Sequence, residues 1–149
     1  MWWFSDPAAV EQLRTEAARW MGTPFVAYHN APGVGVDCVQ LAAQLMVGCG
    51  VIEGYDFGSY SLDFAAHTGR SMIVEWLGES SRFVFMDAKQ TPMVGDVVTF
   101  AVGRGVGHVG VMLNEVDFIH SIQGRKVQSS IRTIPPWRER VAGYWRAQR

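Results

Sequence analysis

The first apolar pattern along the chain is helical. Asp6 is a residue type that caps helix starts, and Pro7 suits the first helical position. Apolar residues then recur at the spacing of one helix face, at Val10, Leu13, Ala17, Trp20 and Met21. The pattern stops at Gly22, so it predicts a helix that begins at Asp6 and ends before this glycine.

Two further helices are indicated downstream. Residues 39–47 are mostly strong helix formers, and the Gly48-Cys49-Gly50 sequence behind them is typical of a helix end. The preceding residues 25–36 are rich in Gly, Pro and Asn and predict a loop that leads directly into Asp37-Cys38. Apolar spacing predicts one more, amphipathic helix over residues 71–77.

After Pro92 the pattern changes to short runs of β-branched and aromatic residues separated by turn residues. The predicted strands are 97–100, 109–113, 118–122, 127–131 and 141–145, with hairpin turns at 114–115 and 123–125. Helices that precede antiparallel strands are typical of the α+β class rather than of a parallel α/β sheet. We therefore predict one α+β domain over residues 1–149, a length that a single core accommodates.

Charge and composition exclude several classes of function. The formal net charge is -1 and the basic residues are scattered, so the chain lacks the basic surface that binds nucleic acid. The apolar run that starts at Met1 ends after four residues and has no basic residue before it. It predicts neither a secretory signal nor a membrane span.

The two cysteines, Cys38 and Cys49, are predicted to be free thiols. A helix between them would separate them by roughly 16 Å, beyond the reach of a disulfide. No CxxC or HExxH sequence indicates a metal site, and the chemistry considered next requires no cofactor.

Cys38 is a candidate nucleophile because it stands at the predicted start of a helix. Unpaired N–H groups and the helix dipole favour the thiolate there, which predicts a lowered thiol pKa. His108 and His120 are twelve residues apart, on two predicted strands joined by a hairpin, so their imidazoles are expected side by side. We predict that His108 acts as the base and that His120 orients it.

Each of these residues also has a purely structural interpretation. A cysteine at a helix start is more often a small buried apolar residue, and a lone strand histidine is more often part of a core. The combination of all three favours catalysis. Cys49 is predicted to be structural, and no role is assigned to His29 or His67.

Taken together, these segments resemble the NlpC/P60 superfamily of cell-wall cysteine peptidases over most of the chain. The matching segments are Gly22-Thr23-Pro24-Phe25, Val36-Asp37-Cys38, Val94-Gly95-Asp96, Gly107-His108-Val109-Gly110 and Phe118-Ile119-His120. The resemblance implies a papain-like α+β fold, with the nucleophile at a helix N-terminus packed on an antiparallel sheet. It also implies hydrolysis of peptidoglycan stem peptides, commonly at the bond between γ-D-glutamate and a diamino acid.

The same resemblance implies substrate-binding residues. Asp37 is expected to receive the free amine of the first alanine of the stem, and Gly107, beside the catalytic histidine, is expected to contact substrate. Phe25 stands where the family has Tyr, and Val39 where it has Ser. Tyr28 is the candidate to supply the hydroxyl that Phe25 lacks.

Residues 33–38, 60–77 and 142–146 look most like the branch of the family found in phage tails and gene-transfer particles. That likeness implies location at a virion tail tip, hub or baseplate proteins as partners, and action at the periplasmic cell wall. Two alternatives remain open. One is an inactive structural tail-tip component, and the other is an amidase or acyltransferase that uses the same three residues.

Overall fold

The N-terminal helix forms as the sequence predicts. The computed structural model describes residues 1–63 and 69–149. Helix α1 spans Pro7–Trp20, and the side chain of Asp6 caps it by accepting a hydrogen bond from the Ala8 N–H at 2.9 Å. Its apolar face is buried, with Leu13 and Trp20 almost fully covered. A short 3₁₀ turn, Trp3–Ser5, precedes it.

The other two described helices lie close to their predicted positions. Helix α2 spans Cys38–Gly48, and Asp37 caps it through a 2.8 Å hydrogen bond from the Gln40 N–H. Helix α3 spans Met72–Glu79 and is capped by the Ser71 hydroxyl. The predictions of 39–47 and 71–77 are confirmed, with ends that differ by one or two residues. No helix in the described ranges is long and apolar enough to cross a membrane.

The strands of the described residues are antiparallel. They are β1 (Asn30–Ala31), β2 (Gly35–Val36), β3 (Phe83–Asp87), β4 (Val97–Val102), β5 (Gly105–Met112), β6 (Asp117–His120), β7 (Gln128–Ile131) and β8 (Val141–Ala147). Strands β1 and β2 pair with each other, and the described part of the chain forms a six-stranded sheet in the order β3-β8-β4-β5-β6-β7. The predicted α+β class, with helices packed on an antiparallel sheet, is confirmed.

Two features differ from the sequence prediction. Strand β3 was not predicted; it lies at a sheet edge and its pairing comes from β8, about sixty residues later in the chain. The predicted loop 25–36 contains the β1–β2 pair, which these short turn-rich segments do not signal. Both differences depend on tertiary pairing rather than on local pattern.

The sheet is covered on both faces. One buried cluster joins α1 and α2 to Val97, Val109, Val111 and Ile119 of the sheet. A second cluster, on alternate strand positions, contains Val98, Phe100, Met112, Phe118 and Tyr144, with Trp137 packed against it. Helix α2 therefore lies against β5, and its first residue meets the strand that carries His108.

Candidate active site

The Cys38 thiol lies between the start of α2 and strand β5. Its side chain is almost fully buried, and the structure has no disulfide at either cysteine. The backbone N–H groups of Val109, Val39 and Cys38 itself hydrogen-bond the sulfur and lower its pKa. The sulfur is thus surrounded by amide donors at a helix N-terminus, as the sequence predicted.

The prediction of a lowered thiol pKa is nevertheless wrong for this conformation. Burial raises the pKa of Cys38 to about 12, and the nearby negative charge of Asp37 adds to the increase. Removing the sulfur from water disfavours the thiolate more than the three amides favour it. At neutral pH the cysteine is therefore a neutral thiol.

His108 and His120 lie side by side on β5 and β6. His108 Nε2 is 2.8 Å from His120 Nδ1, a hydrogen-bond distance, and the ring planes are inclined by 70°. Gly110 makes this arrangement possible, because a Cβ there would lie 2.8 Å from the Ile119 carbonyl oxygen and 3.3 Å from His120 Cβ. The glycine leaves room for one imidazole to reach the other.

Both imidazoles are neutral at physiological pH. Burial lowers the pKa of His108 to about 4, and the positive charge of Arg140 contributes to the decrease. Burial also lowers the pKa of His120 to about 3, with a further contribution from His108. His120 uses its second nitrogen as well, since Nε2 lies 2.8 Å from the Ser130 hydroxyl on β7.

Trp137 encloses the two histidines from the loop before β8. Its ring stacks on His108 at a centroid distance of 5.4 Å, with an angle of 29° between the planes. It meets His120 edge-on at 4.9 Å. Phe100 and Phe118 complete the packing around the rings. Trp137 therefore restricts the orientation of both imidazoles and shields them from water.

Cys38 and His108 line the same cleft, whose volume is about 220 Å³. The sequence-predicted residues Phe25 and Gly107 line it too. Residues that the sequence did not indicate complete the walls; they are Leu62, Asp63, Val102, Ser121, Ile122, Gln123, Trp137 and Arg140. The structure thus brings the predicted nucleophile and base to one cleft.

Asp37 lies beneath this region and is fully buried. One carboxylate oxygen caps α2, and the other accepts hydrogen bonds from the Tyr28 N–H at 2.8 Å and the Tyr60 hydroxyl at 2.6 Å. Its role in binding a substrate amine stays a prediction. Tyr60, absent from the sequence-predicted set, is the side chain that contacts it directly.

Tyr28 is exposed and has a left-handed backbone, with φ of 67°. This conformation is uncommon for a residue with a side chain, and it directs the Tyr28 N–H to Asp37. The Tyr28 ring packs edge-on against Tyr60 at 4.9 Å. Tyr28 therefore belongs to the Asp37 cluster through its backbone as well as its ring.

The remaining candidates lie apart from the cleft. Cys49 is buried at the far end of α2, where burial and the charge of Glu16 raise its pKa to about 12. His29 is exposed and contacts the Ala27 carbonyl oxygen through Nδ1 at 3.1 Å. His67 lies outside the described residues. Within the described ranges no cluster of three metal-ligating side chains occurs.

Several solved structures share the fold, and three of them illustrate it. They are a lipoprotein-like protein of the NLP/P60 family from Staphylococcus aureus (TM-score 0.66, 18% identity, 97% of this chain and 43% of that one), the NlpC/p60 domain of the peptidoglycan hydrolase SagA (0.59, 20%, 94% and 98%) and an NlpC/P60 family protein from Bacillus cereus (0.65, 22%, 91% and 39%). This chain therefore spans about two-fifths of two of these proteins and nearly all of the third.

Among curated proteins, no sequence matches this chain closely enough to serve as a relative. The model of the NlpC/P60 family, however, matches residues 22–146. That match includes the loop before α2, the cysteine and both histidine strands, and it covers most of the chain. The chain therefore belongs to the NlpC/P60 family.

Proposed function

We propose that this protein is a cysteine peptidase that hydrolyses the stem peptides of bacterial peptidoglycan. The observation that carries the proposal is the cleft shared by Cys38 and His108, in which His108 is hydrogen-bonded to His120 through its other nitrogen. Membership of the NlpC/P60 family and the fold shared with the NlpC/p60 domain of a peptidoglycan hydrolase support it.

In the proposed reaction His108 acts as a general base toward a neutral thiol. Its Nδ1, the nitrogen not engaged with His120, takes the Cys38 proton as the sulfur attacks the amide carbonyl carbon. Backbone N–H groups at the start of α2 stabilise the oxyanion. His108 then gives the proton to the leaving amine, and water hydrolyses the thioester with His108 again as the base.

We propose the γ-D-glutamyl–diamino acid bond as the one cleaved. A glutamate linked through its γ-carboxyl keeps a free α-carboxylate close to the scissile amide. Arg140 lines the cleft, and its positive charge reaches His108, so an anion beside the scissile bond is favoured there. In this proposal Asp37 and Tyr28 lie toward the amine of the stem, and Phe25 and Gly107 form the walls around the scissile bond.

The test is digestion of purified peptidoglycan followed by mass spectrometry of the released fragments. We expect the wild type to release peptides that begin with the diamino acid, and Cys38→Ala to release none. Cys49→Ala, which removes the other buried thiol, is expected to retain activity. Equal fragment yields from the wild type and Cys38→Ala would contradict the assignment of the nucleophile, and intact stems with the wild type would favour the structural alternative.

We also propose that the enzyme is carried at the tail tip of a phage or gene-transfer particle, in contact with hub or baseplate proteins. The likeness of residues 33–38, 60–77 and 142–146 to that branch of the family supports this location. Quantitative mass spectrometry of purified particles is the test. A fixed number of copies per particle is expected, whereas loss of the protein during particle purification would contradict it.

A further inference from the structure

Ser130 ends a hydrogen-bonded series that begins at His108. His120 is fully buried and uses both ring nitrogens, Nδ1 toward His108 Nε2 and Nε2 toward Ser130 Oγ, each at 2.8 Å. Ser130 stands on β7 opposite Phe118, two residues along the strand from Gln128, the partner of His120. Alternate residues of a strand share a face, so Ser130 is held diagonally beside the imidazole.

Two proton arrangements satisfy this series when both imidazoles are neutral. In the first, His108 donates from Nε2 to His120 Nδ1, and His120 donates from Nε2 to Ser130. In the second, every proton is reversed, so Ser130 donates to His120 and His120 donates to His108. A serine hydroxyl can accept or donate, so both arrangements keep every nitrogen hydrogen-bonded.

Only the first arrangement is competent for catalysis. It leaves His108 Nδ1 with a lone pair, whereas the second places a proton on that nitrogen. When the Cys38 S–H bond breaks and the Nδ1–H bond forms, His108 carries protons on both nitrogens. The Nε2–H of His108 then needs an acceptor. His120 Nδ1 can accept it only when the proton of His120 is on Nε2. That proton in turn needs an acceptor.

We propose that Ser130 is a positioning residue of the active site, whose hydroxyl accepts the His120 Nε2–H and so holds both imidazoles in the tautomers that make His108 a base. This inference rests on the proposed function. The Cys38 proton moves to His108 and later to the leaving amine, and no proton has to leave His120 or Ser130. The hydroxyl acts through His120 and does not touch the substrate.

The first experiment reads the tautomers directly and does not need activity. In histidine-labelled wild type, ¹⁵N–¹H correlation spectra at pH 7 are expected to show the proton on Nε2 of both His108 and His120. In Ser130→Ala a second set of signals, with the proton on Nδ1 of His120, is expected to appear. A proton on His120 Nδ1 in the wild type, or identical tautomers in Ser130→Ala, would overturn the proposal.

The second experiment measures kinetics on a stem peptide. Ser130→Ala is expected to lower kcat about tenfold, the effect of one lost hydrogen bond of about 1 kcal/mol or slightly more, and to change KM less than twofold. Ser130→Thr, which keeps the hydroxyl, is expected to restore most of the rate. Ser129→Ala, on the exposed opposite face of β7, is the matched control and is expected to behave as the wild type.

The two experiments separate the inference from the proposed function. If the wild type cleaves no stem peptide but has the expected tautomers, the proposed function fails while the effect of Ser130 on the tautomers stands. If the wild type is active and Ser130→Ala keeps its full kcat, the positioning role fails while the peptidase stands.

Discussion

At the level of single side chains, the two groups that we propose exchange a proton are both neutral. Burial raises the pKa of Cys38 and lowers that of His108, so an ion pair is disfavoured on both sides. The thiol then becomes nucleophilic as it loses its proton during attack, not before substrate arrives. Hydrogen bonds from three amides to the sulfur stabilise the charge as it develops.

Because the Cys38 thiol is neutral at pH 7, we expect its alkylation to be slow. In Cys49→Ala, where Cys38 is the remaining thiol, the rate with iodoacetamide is expected to stay low at pH 7 and to keep rising above pH 9, because alkylation requires the thiolate. The matching Cys38→Ala variant gives the rate of the buried structural thiol at Cys49. A fast rate that is already constant between pH 6 and 8 would contradict a neutral thiol and indicate an ion pair.

Arg140 is expected to select substrates that carry the glutamate α-carboxylate. Against a stem peptide with that carboxylate free, Arg140→Gln should lower kcat/KM by about ten- to a hundredfold, the effect of one charge-assisted hydrogen bond. Against the α-carboxamide peptide, the variant and the wild type should be similar. Arg138→Gln, two residues away and paired with Glu139 at 2.8 Å, is the matched control.

The same Arg140 variant has an expected pH effect. The arginine charge lowers the pKa of His108, so its removal raises that pKa. The acidic limb of the pH profile of kcat/KM should move to higher pH, since His108 must be unprotonated to act as a base. An unchanged limb, or equal losses on the carboxylate and carboxamide peptides, would contradict the role proposed for Arg140.

Residue type and spacing were sufficient to single out Cys38, His108 and His120. Each stands at a position that local sequence defines, a helix start or a strand next to a hairpin. Ser130, Trp137 and Tyr60 were missed because their roles arise from tertiary packing. A serine on an edge strand and a tryptophan in a loop carry no local signal, and their contacts with the histidines appear only once the strands are paired.

At the level of elements, a buried ion pair joins the start of β4 to β8. Arg146 donates to the two Asp96 carboxylate oxygens from Nε and Nη2, at 3.0 and 2.9 Å, and the Met93 N–H donates to the same carboxylate. Asp96 is almost fully buried. The pair fixes the position of β4 between β8 and β5, and so supports the strand that carries His108.

Asp96→Asn is therefore expected to destabilise the fold by about 3 kcal/mol, since it leaves the largely buried Arg146 without its counter-charge. Urea denaturation measures the free energy of unfolding. Glu115→Gln, which removes an exposed carboxylate in the β5–β6 turn, is the control and is expected to change stability by less than about 0.5 kcal/mol. Equal stabilities of the two variants would exclude a structural role for the pair.

The elements differ in how far the sequence determines them. Helices α1 and α2 were predicted from a cap and an apolar face, both of which are local. The central strands were predicted from β-branched runs, although β5 begins four residues before its predicted start. There the sequence Gly105-Val106-Gly107 has little strand propensity, and pairing with β4 extends the strand.

At the level of the whole molecule, the paired histidines make stability depend on pH. The pKa of His120 is about 3 in the folded state against an ordinary value near 6.5, and that of His108 is about 4. Below pH 6.5 the unfolded chain binds protons that the folded protein does not. The contribution of the two neutral histidines to the free energy of unfolding is thus complete above pH 6.5 and is lost as the pH falls toward 4 and below.

His120→Asn is expected to reduce this dependence. Between pH 6.5 and 4.5 the free energy of unfolding of the wild type should fall further than that of the variant, by on the order of 2 kcal/mol. Urea denaturation at half-unit pH steps gives both curves. Parallel curves would mean that His120 titrates alike in the folded and unfolded states, which would contradict its lowered pKa.

The first and last residues of the chain touch, with the Arg149 N–H donating to the Met1 carbonyl oxygen at 3.0 Å and Trp2 bridged to Gln148. A short added peptide would close the backbone into a ring with little strain, and the ring could be reopened at the exposed turn around Lys89. The rearranged polypeptide would then begin with β4, pass through the helices after β8, and end with β3. Both histidines would precede the cysteine along it, yet the same cleft would form, because the packing of α2 on β5 does not depend on which is synthesised first.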